Sequence, residues 1–372
     1  MSSFYSEDWF EANTKFKDIA SKCGVMKMYN SDDLSYEIPY VFIGNGPNKI
    51  VINSGVHGIE GYFGSAAQIM FLHEMISKVS SDALKKYTIV LIHVINGWGM
   101  QNRMREVFDN THGGLVDLNR NFGLDFSHPE KLPQNPKYKI AHDLLISKPD
   151  KTEKKNAIKS FRQKHLKDGV WAAISNGQYY EPYGLFYGGC APMSENIATM
   201  HIYDEIMSTK TDSLISIGMH TGLGRFYRKQ ADATSMLLVS HPEKHKNTLF
   251  FNKLFAKNTN VVPDNNAVNG PVILGDLVDC LEQRYANKNI PIYTADFEIG
   301  TGEFPIMSPI YKRMDMGDAR YDLLHFKKIN SETWGNLTES WYPSDLGWKN
   351  AALRRVRLLF DDLIKYMNQN SK

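Results

Sequence analysis

The stretch Ile50-Val51-Ile52-Asn53-Ser54-Gly55-Val56-His57-Gly58-Ile59-Glu60-Gly61 carries the most information in the chain. It opens on a short apolar run of β-branched side chains, the pattern of a strand buried on both faces. A glycine-rich turn follows, and then Tyr62–Val79, where Phe63, Ala66, Ala67, Met70, Ile76 and Val79 recur at three- and four-residue steps. The reading is strand, tight turn, amphipathic helix. Inside the turn His57 and Glu60 stand three apart, and their small neighbours let both side chains converge on one point. An imidazole and a carboxylate are both zinc ligands. Alone, the pair reads more readily as a histidine and an acid at a helix start, where carboxylates are favoured anyway.

Other apolar runs read as further buried strands: Thr88–Ile95, Leu214–Met219, Met236–Val239 and Ile292–Phe297. Helical patterns lie between them, and Ala351–Met367 closes the chain with Leu353, Val356, Leu359, Leu363 and Met367 on one face. Alternating strands and helices predict an α/β fold, three layers around a mixed, largely parallel sheet. At 372 residues the chain has room for one large domain or two ordinary ones.

Polar residues cluster where these strands end. Beyond Thr88–Ile95 come Asn96, Arg103, Arg105 and Asp117-Leu118-Asn119-Arg120-Asn121-Phe122. His220 follows Leu214–Met219 and precedes Thr221-Gly222-Leu223-Gly224, and Glu298 follows Ile292–Phe297 and precedes Ile299-Gly300-Thr301-Gly302. Open α/β sheets bind ligands outside the carboxyl ends of their strands, so these groups are expected to share one cleft with His57 and Glu60. That convergence of residues 50–302 favours a single domain over 1–372, with the stretch at about 123–212 as an elaboration on the sheet.

Composition narrows the function classes. Hydrophobic residues make up 42% and charged residues 23%, as in globular proteins, and the net charge of +2 excludes a protein that coats nucleic acid or an anionic membrane. Cys23, Cys190 and Cys280 are far apart and form no C-x-x-C pair, and the start MSSFYSEDWFEANTKF carries acids and no apolar stretch. A cytoplasmic protein is expected, with no membrane span. The cluster Lys148–Lys167, with eight Lys or Arg against Asp150 and Glu153, reads as a solvated helix face.

Among the twelve histidines, His93 lies within a strand and reads as a packing residue, while His73, His142 and His165 fall in helical patterns. His112 and His128 lie in loops. His241, after Met236–Val239, is the rival of His220 as a third ligand. Gly218 and the glycines after His220 favour the latter, because they permit close backbone approach.

The blocks His57-x-x-Glu60, Asp117–Phe122, His220 and Glu298 resemble the zinc carboxypeptidase superfamily (M14-like), and within it the branch of succinylglutamate desuccinylase and aspartoacylase. The DUF2817 group is the nearer resemblance. It is also similar in Gly177-Gln178-Tyr179 and in Pro182-Tyr183-Gly184-Leu185-Phe186-Tyr187-Gly188-Gly189. The resemblance implies that His57, Glu60 and His220 hold one Zn2+ and that Glu298 is the general base, with Asp296 as the alternative acid. It also implies that Arg120, with Asn119 beside it, clamps a substrate carboxylate, and that Arg105 or Arg103 stabilises the oxyanion. The chain departs from the pattern by inserting residues around His112-Gly113-Gly114.

The implied activity is zinc-dependent hydrolysis of an amide bond next to a free carboxylate, on a small peptide or an acyl-amino acid. An N-acyl amino acid deacylase would use the same site, and a metal- or ligand-binding protein without turnover is the non-enzymatic reading. A serine or cysteine hydrolase is disfavoured: there is no G-x-S-x-G elbow, and Cys190 has no base near it in sequence.

Overall fold

The computed structural model describes residues 2–147, 150–165, 167–239, 245–255, 259–263, 273, 275–302 and 308–371. Its main sheet has eight strands: β1 (Val25–Tyr29), β2 (Ile38–Gly44), β3 (Asn48–Ser54), β4 (Tyr87–Val94), β5 (Ser213–Thr221), β6 (Ser235–Val239), β7 (Asn260–Pro263) and β8 (Ile292–Ile299), in the spatial order β1-β2-β4-β3-β5-β8-β6-β7. The four central strands β4, β3, β5 and β8 are mutually parallel. β2 joins them antiparallel through β4, β6 joins antiparallel through β8, and β1 and β7 complete the edges. The sheet is mixed and largely parallel, as its apolar runs predict.

The longer helices are α1 (Trp9–Cys23), α2 (Gly61–Met70), α3 (Pro136–Ile146), α4 (Lys151–Lys164), α5 (Ser194–Ser208), α6 (His245–Phe255), α7 (Leu277–Tyr285), α8 (Ser308–Phe326), α9 (Ser331–Trp341) and α10 (Leu346–Gln369). Alternation along the strands sorts them into two layers. Ile50, Ile52, Ile89, Leu91, Ile215 and Ile217 pack with Phe16 of α1, Phe63 of α2 and Leu353 of α10. Val51, Val90, Ile92 and Leu214 face the other way, against Ile202 of α5 and Leu281 of α7. Both faces of the central strands are thus covered, as β-branched runs without polar alternation require.

Three elements run differently from the sequence pattern. β5 and β8 continue past their apolar runs, so His220 and Glu298 lie inside strands and stand opposite one another in the ladder. Backbone pairing is indifferent to side-chain polarity, so the ladder outlasts the hydrophobic signal. The segment Tyr62–Val79 is helical but is no single α-helix: α2 stops at Met70, and a wider π turn (Phe71–Met75) and a 3-10 turn (Ile76–Lys78) follow.

The basic cluster forms α4, mostly solvated as expected except at Lys154. That side chain is buried, with its ammonium 2.7 Å from Asp318 Oδ1 on α8 and 2.6 Å from Ser147 O. Among the described residues, no helix is long and apolar enough to cross a membrane.

Candidate metal centre

β3 delivers the chain to Gly55, which takes φ +66° and so swings the backbone out of the sheet. The turn that follows is fastened from outside: Gly58 N donates to Arg105 O (3.0 Å) and Ile59 N to Met104 O (2.8 Å). His57 and Glu60 therefore point at the end of β5. His57 Nδ1 lies 3.1 Å from His220 Nδ1 and 3.1 Å from Glu60 Oε1, and His220 Nδ1 lies 3.2 Å from Glu60 Oε2. All three residues are buried. His241, the rival ligand, lies outside the described residues.

The far side of each imidazole meets a carboxylate. His57 Nε2 is 3.1 Å from Asp117 Oδ1, and His220 Nε2 is 3.4 Å from Asp296 Oδ1. A carboxylate only accepts, so the proton of each neutral ring belongs on Nε2 and both Nδ1 lone pairs are turned inward. With both rings in that neutral form, the two nitrogen lone pairs and the Glu60 carboxylate converge within 3.1–3.2 Å of one another, as ligands of a shared cation would. Glu60 Oε1 itself has no hydrogen bond, while Oε2 accepts from Thr221 N at 2.8 Å.

This donor set fits a cation. Ligand atoms 2.0–2.2 Å from a tetrahedral zinc stand about 3.3–3.6 Å from one another, slightly wider than the 3.1–3.2 Å spacing here. Gly218 leaves the room for this packing, since a Cβ at that position would come within 2.5 Å of Asp296 Oδ1.

The electrostatics follow from the same contacts. Burial works to raise the Glu60 carboxyl, but His57 and His220 hold it well below its usual range. Burial works to lower His220, yet Asp296 and Glu60 push its pKa well above the ordinary histidine value. A ring made so basic toward protons is also a strong ligand for a cation. Glu298, opposite His220 in the ladder, is raised to about 7 by burial and by the charge of Glu60, and its Oε2 accepts weakly from Leu223 N (3.3 Å).

Arg105, and not Arg103, reaches the cluster. Its Nη1 donates to Asp117 Oδ2, its Nε is 3.5 Å from Glu60 Oε1, and its guanidinium lies over the rings of Trp341 (5.0 Å) and Phe186 (5.5 Å). Arg103 instead lies over Tyr62 and Trp334. Arg120 is held by carbonyls: Nε and Nη2 donate to Ser175 O (3.1 and 2.8 Å) and Nη1 to Asn119 O (2.7 Å). Three of its five N–H groups are so engaged, which leaves two for a ligand. Asn119 Oδ1 accepts from Leu277 N (3.0 Å), which fastens it to the start of α7.

The family described as "Protein of unknown function (DUF2817)" matches residues 5–355. The chain belongs to the DUF2817 family. No curated protein matches it in sequence. Among solved structures, this DUF2817 chain resembles bovine thrombin-activatable fibrinolysis inhibitor in complex with tick carboxypeptidase inhibitor, at TM-score 0.52 and 10% identity over 98% of both chains. That likeness shows the carboxypeptidase-like α/β fold. Carboxypeptidase A from Helicoverpa armigera follows at TM-score 0.48, 12% identity, 90% of this chain and 74% of the other. Succinylglutamate desuccinylase/aspartoacylase from Rhodobacter sphaeroides gives 0.38, 17%, 83% and 67%.

Several residues of this DUF2817 site escape sequence reasoning. Asp117 stands at the head of a recognisable block, but its hold on both His57 and Arg105 appears only in three dimensions. Lys312 on α8 is buried beside the centre: its Nζ donates to Gly222 O and to Thr301 Oγ1 (2.8 Å) and lies 4.5 Å from the Trp341 ring, and burial lowers its pKa to about 7 against the charge of Glu298. Neither Lys312 nor Trp341 follows a strand end, the only signal the sequence offered. Phe186 belongs to the Pro182–Gly189 block, and the structure packs it against both Arg105 and Arg120.

Proposed function

We propose that this protein is a zinc-dependent hydrolase that cleaves an amide bond next to a free carboxylate, with His57, Glu60 and His220 holding one Zn2+. The observation that carries the reading is the buried convergence of His57 Nδ1, His220 Nδ1 and the Glu60 carboxylate within 3.1–3.2 Å, with Asp117 and Asp296 behind the two rings. When bound, zinc would polarise the scissile carbonyl and acidify the attacking water.

The chain's own residues would do the rest. Glu298, buried and raised to about 7, takes the proton from the attacking water and returns it to the leaving amine. Arg105, fixed by Asp117 and Glu60, offers its remaining N–H groups to the oxygen that gains charge. The two remaining N–H groups of Arg120 receive the substrate carboxylate in two hydrogen bonds, with Asn119 beside it. Asp296 is engaged with His220 Nε2, which favours Glu298 as the base.

We further infer that the chain works as one domain, in the cytoplasm, on a small peptide or an acyl-amino acid. The fold, similar to carboxypeptidases, supports a hydrolase without choosing the acyl group. A panel of C-terminal peptides against N-acyl amino acids makes that choice. The central test is metal content and hydrolysis measured together on protein purified without chelator. Metal-free wild type, with His57→Ala hydrolysing every panel substrate as well as wild type does, would remove the proposal.

A further inference from the structure

The inserted segment around His112 is not absorbed by the reading above. It forms the tip of a two-stranded ribbon, Val107–Phe108 against Leu115–Val116, whose base carries Arg105 and Asp117. At the tip, Asp109 Oδ1 accepts the N–H groups of Thr111 (2.8 Å) and His112 (2.9 Å), and Oδ2 lies 3.0 Å from His112 Nδ1. The carboxylate is buried and the imidazole side chain is 46% exposed. Cys190, exposed at the end of the Gly-rich block, completes the group. The three ligand atoms all lie within 4.8 Å of one another.

Both halves of this cluster are held in place. Asn121 Nδ2 donates to Gly188 O (2.7 Å) and Ala191 O (2.9 Å), and its Oδ1 accepts from Met193 N (2.9 Å), so the loop carrying Cys190 is clamped on either side. Asp117 N donates to Tyr187 O (2.7 Å), which ties that loop to the ribbon. Cys190 has no base near it in sequence, and it is the fold that brings His112 and Asp109 to it from a distant segment.

We propose that Asp109, His112 and Cys190 form a second cation site, for a thiophilic divalent ion of the zinc class. One carboxylate, one imidazole and one thiolate are the mixed oxygen, nitrogen and sulfur donors that such ions take, whereas magnesium and calcium prefer oxygen alone. Asp109 keeps one oxygen on the backbone and turns the other to the ion. On binding, the Cys190 thiol gives its proton to solvent and the imidazole binds as the neutral ring. The exposure of His112 and Cys190 leaves a coordination position to water. An ion held there pins the ribbon tip to the Gly-rich block and so braces the strands that present Arg105 and Asp117.

The test is a cobalt(II) titration of reduced, metal-free, full-length protein, followed by absorbance. A sulfur-to-cobalt charge-transfer band reports only a thiolate ligand, and the His57 cluster contains none. Wild type should develop the band, Cys190→Ser should lose it, His112→Ala should shift it to higher cobalt, and Cys23→Ser should leave it unchanged. His57→Ala should also retain it, so the result stands whether or not the first centre binds metal. Circular dichroism melts establish that each variant is folded. Absence of the band at saturating cobalt, its persistence in Cys190→Ser, or an unshifted titration in His112→Ala overturns the proposal.

Discussion

Strands β4 and β5 flank β3, and each buries a histidine, but the two lie on opposite faces of the sheet in unlike company. His93 faces the α1 layer, stacked on Phe16 at 4.3 Å, with Nε2 on Ser65 Oγ (2.9 Å) and Nδ1 unpartnered. Burial lowers its pKa to about 3. His220 faces the other layer, where Asp296 and Glu60 overcome the same burial and raise its pKa well above the ordinary value. Accessibility is nearly equal, 0% and 3%, so the carboxylates decide the chemistry. One ring is a neutral packing group and the other is a base suited to a cation.

The largest expected effect lies on the carboxylate face. His220→Ala should lose the ion of the His57–Glu60–His220 centre along with hydrolysis, whereas His93→Ala should leave that ion in place and lower only stability. Equal metal content in the two variants would erase the contrast. Glu298→Gln sharpens it further: elemental analysis should find the metal unchanged, while hydrolysis falls by about two to four orders of magnitude, the usual contribution of a general base.

A smaller effect is expected one shell out. Asp296→Asn removes the charge behind His220 with little change of shape, and metal affinity measured by competition with a chelator should fall roughly 10–100-fold. Asp117→Asn should lose at least as much, since it also releases Arg105. Ser65→Ala, the corresponding change behind His93, should leave the affinity untouched. A shift with Ser65→Ala as large as with Asp296→Asn would mean that packing, and not charge, governs the centre.

Much of this contrast is legible in the chain. His57, Glu60, His220 and Glu298 follow apolar runs, and a parallel sheet brings the carboxyl ends of its strands together. The packing role of His93 is legible too, from its place inside Thr88–Ile95. What the pattern could not reveal are partners that arrive by tertiary packing. Lys312 and Trp341 come from α8 and α9, where helical periodicity announces only an apolar face. The union of Cys190 with Asp109 and His112 depends on how two loops meet, and periodicity carries no information about loops. Arg120 is the intermediate case: its block is recognisable, but its engagement by Ser175 O is not.

The gentlest probe of the comparison is pH. The ring of His93 is neutral in the folded protein down to about pH 3 but takes a proton near its ordinary value of 6.5 once unfolded. Between those values the unfolded state binds the extra proton, so stability rises with pH. The contribution is complete above about pH 6.5 and is lost as the solution is acidified toward pH 3, at a slope of about 1.4 kcal/mol per pH unit. His93→Leu cannot bind that proton. In denaturant unfolding with the metal centre kept loaded, the stability of wild type relative to His93→Leu should therefore fall by roughly that slope on going from pH 6 to pH 5. All other titrations cancel in the difference. Parallel stability curves would mean that His93 accepts a proton while folded, and that its face of the sheet is not the apolar counterpart of the other.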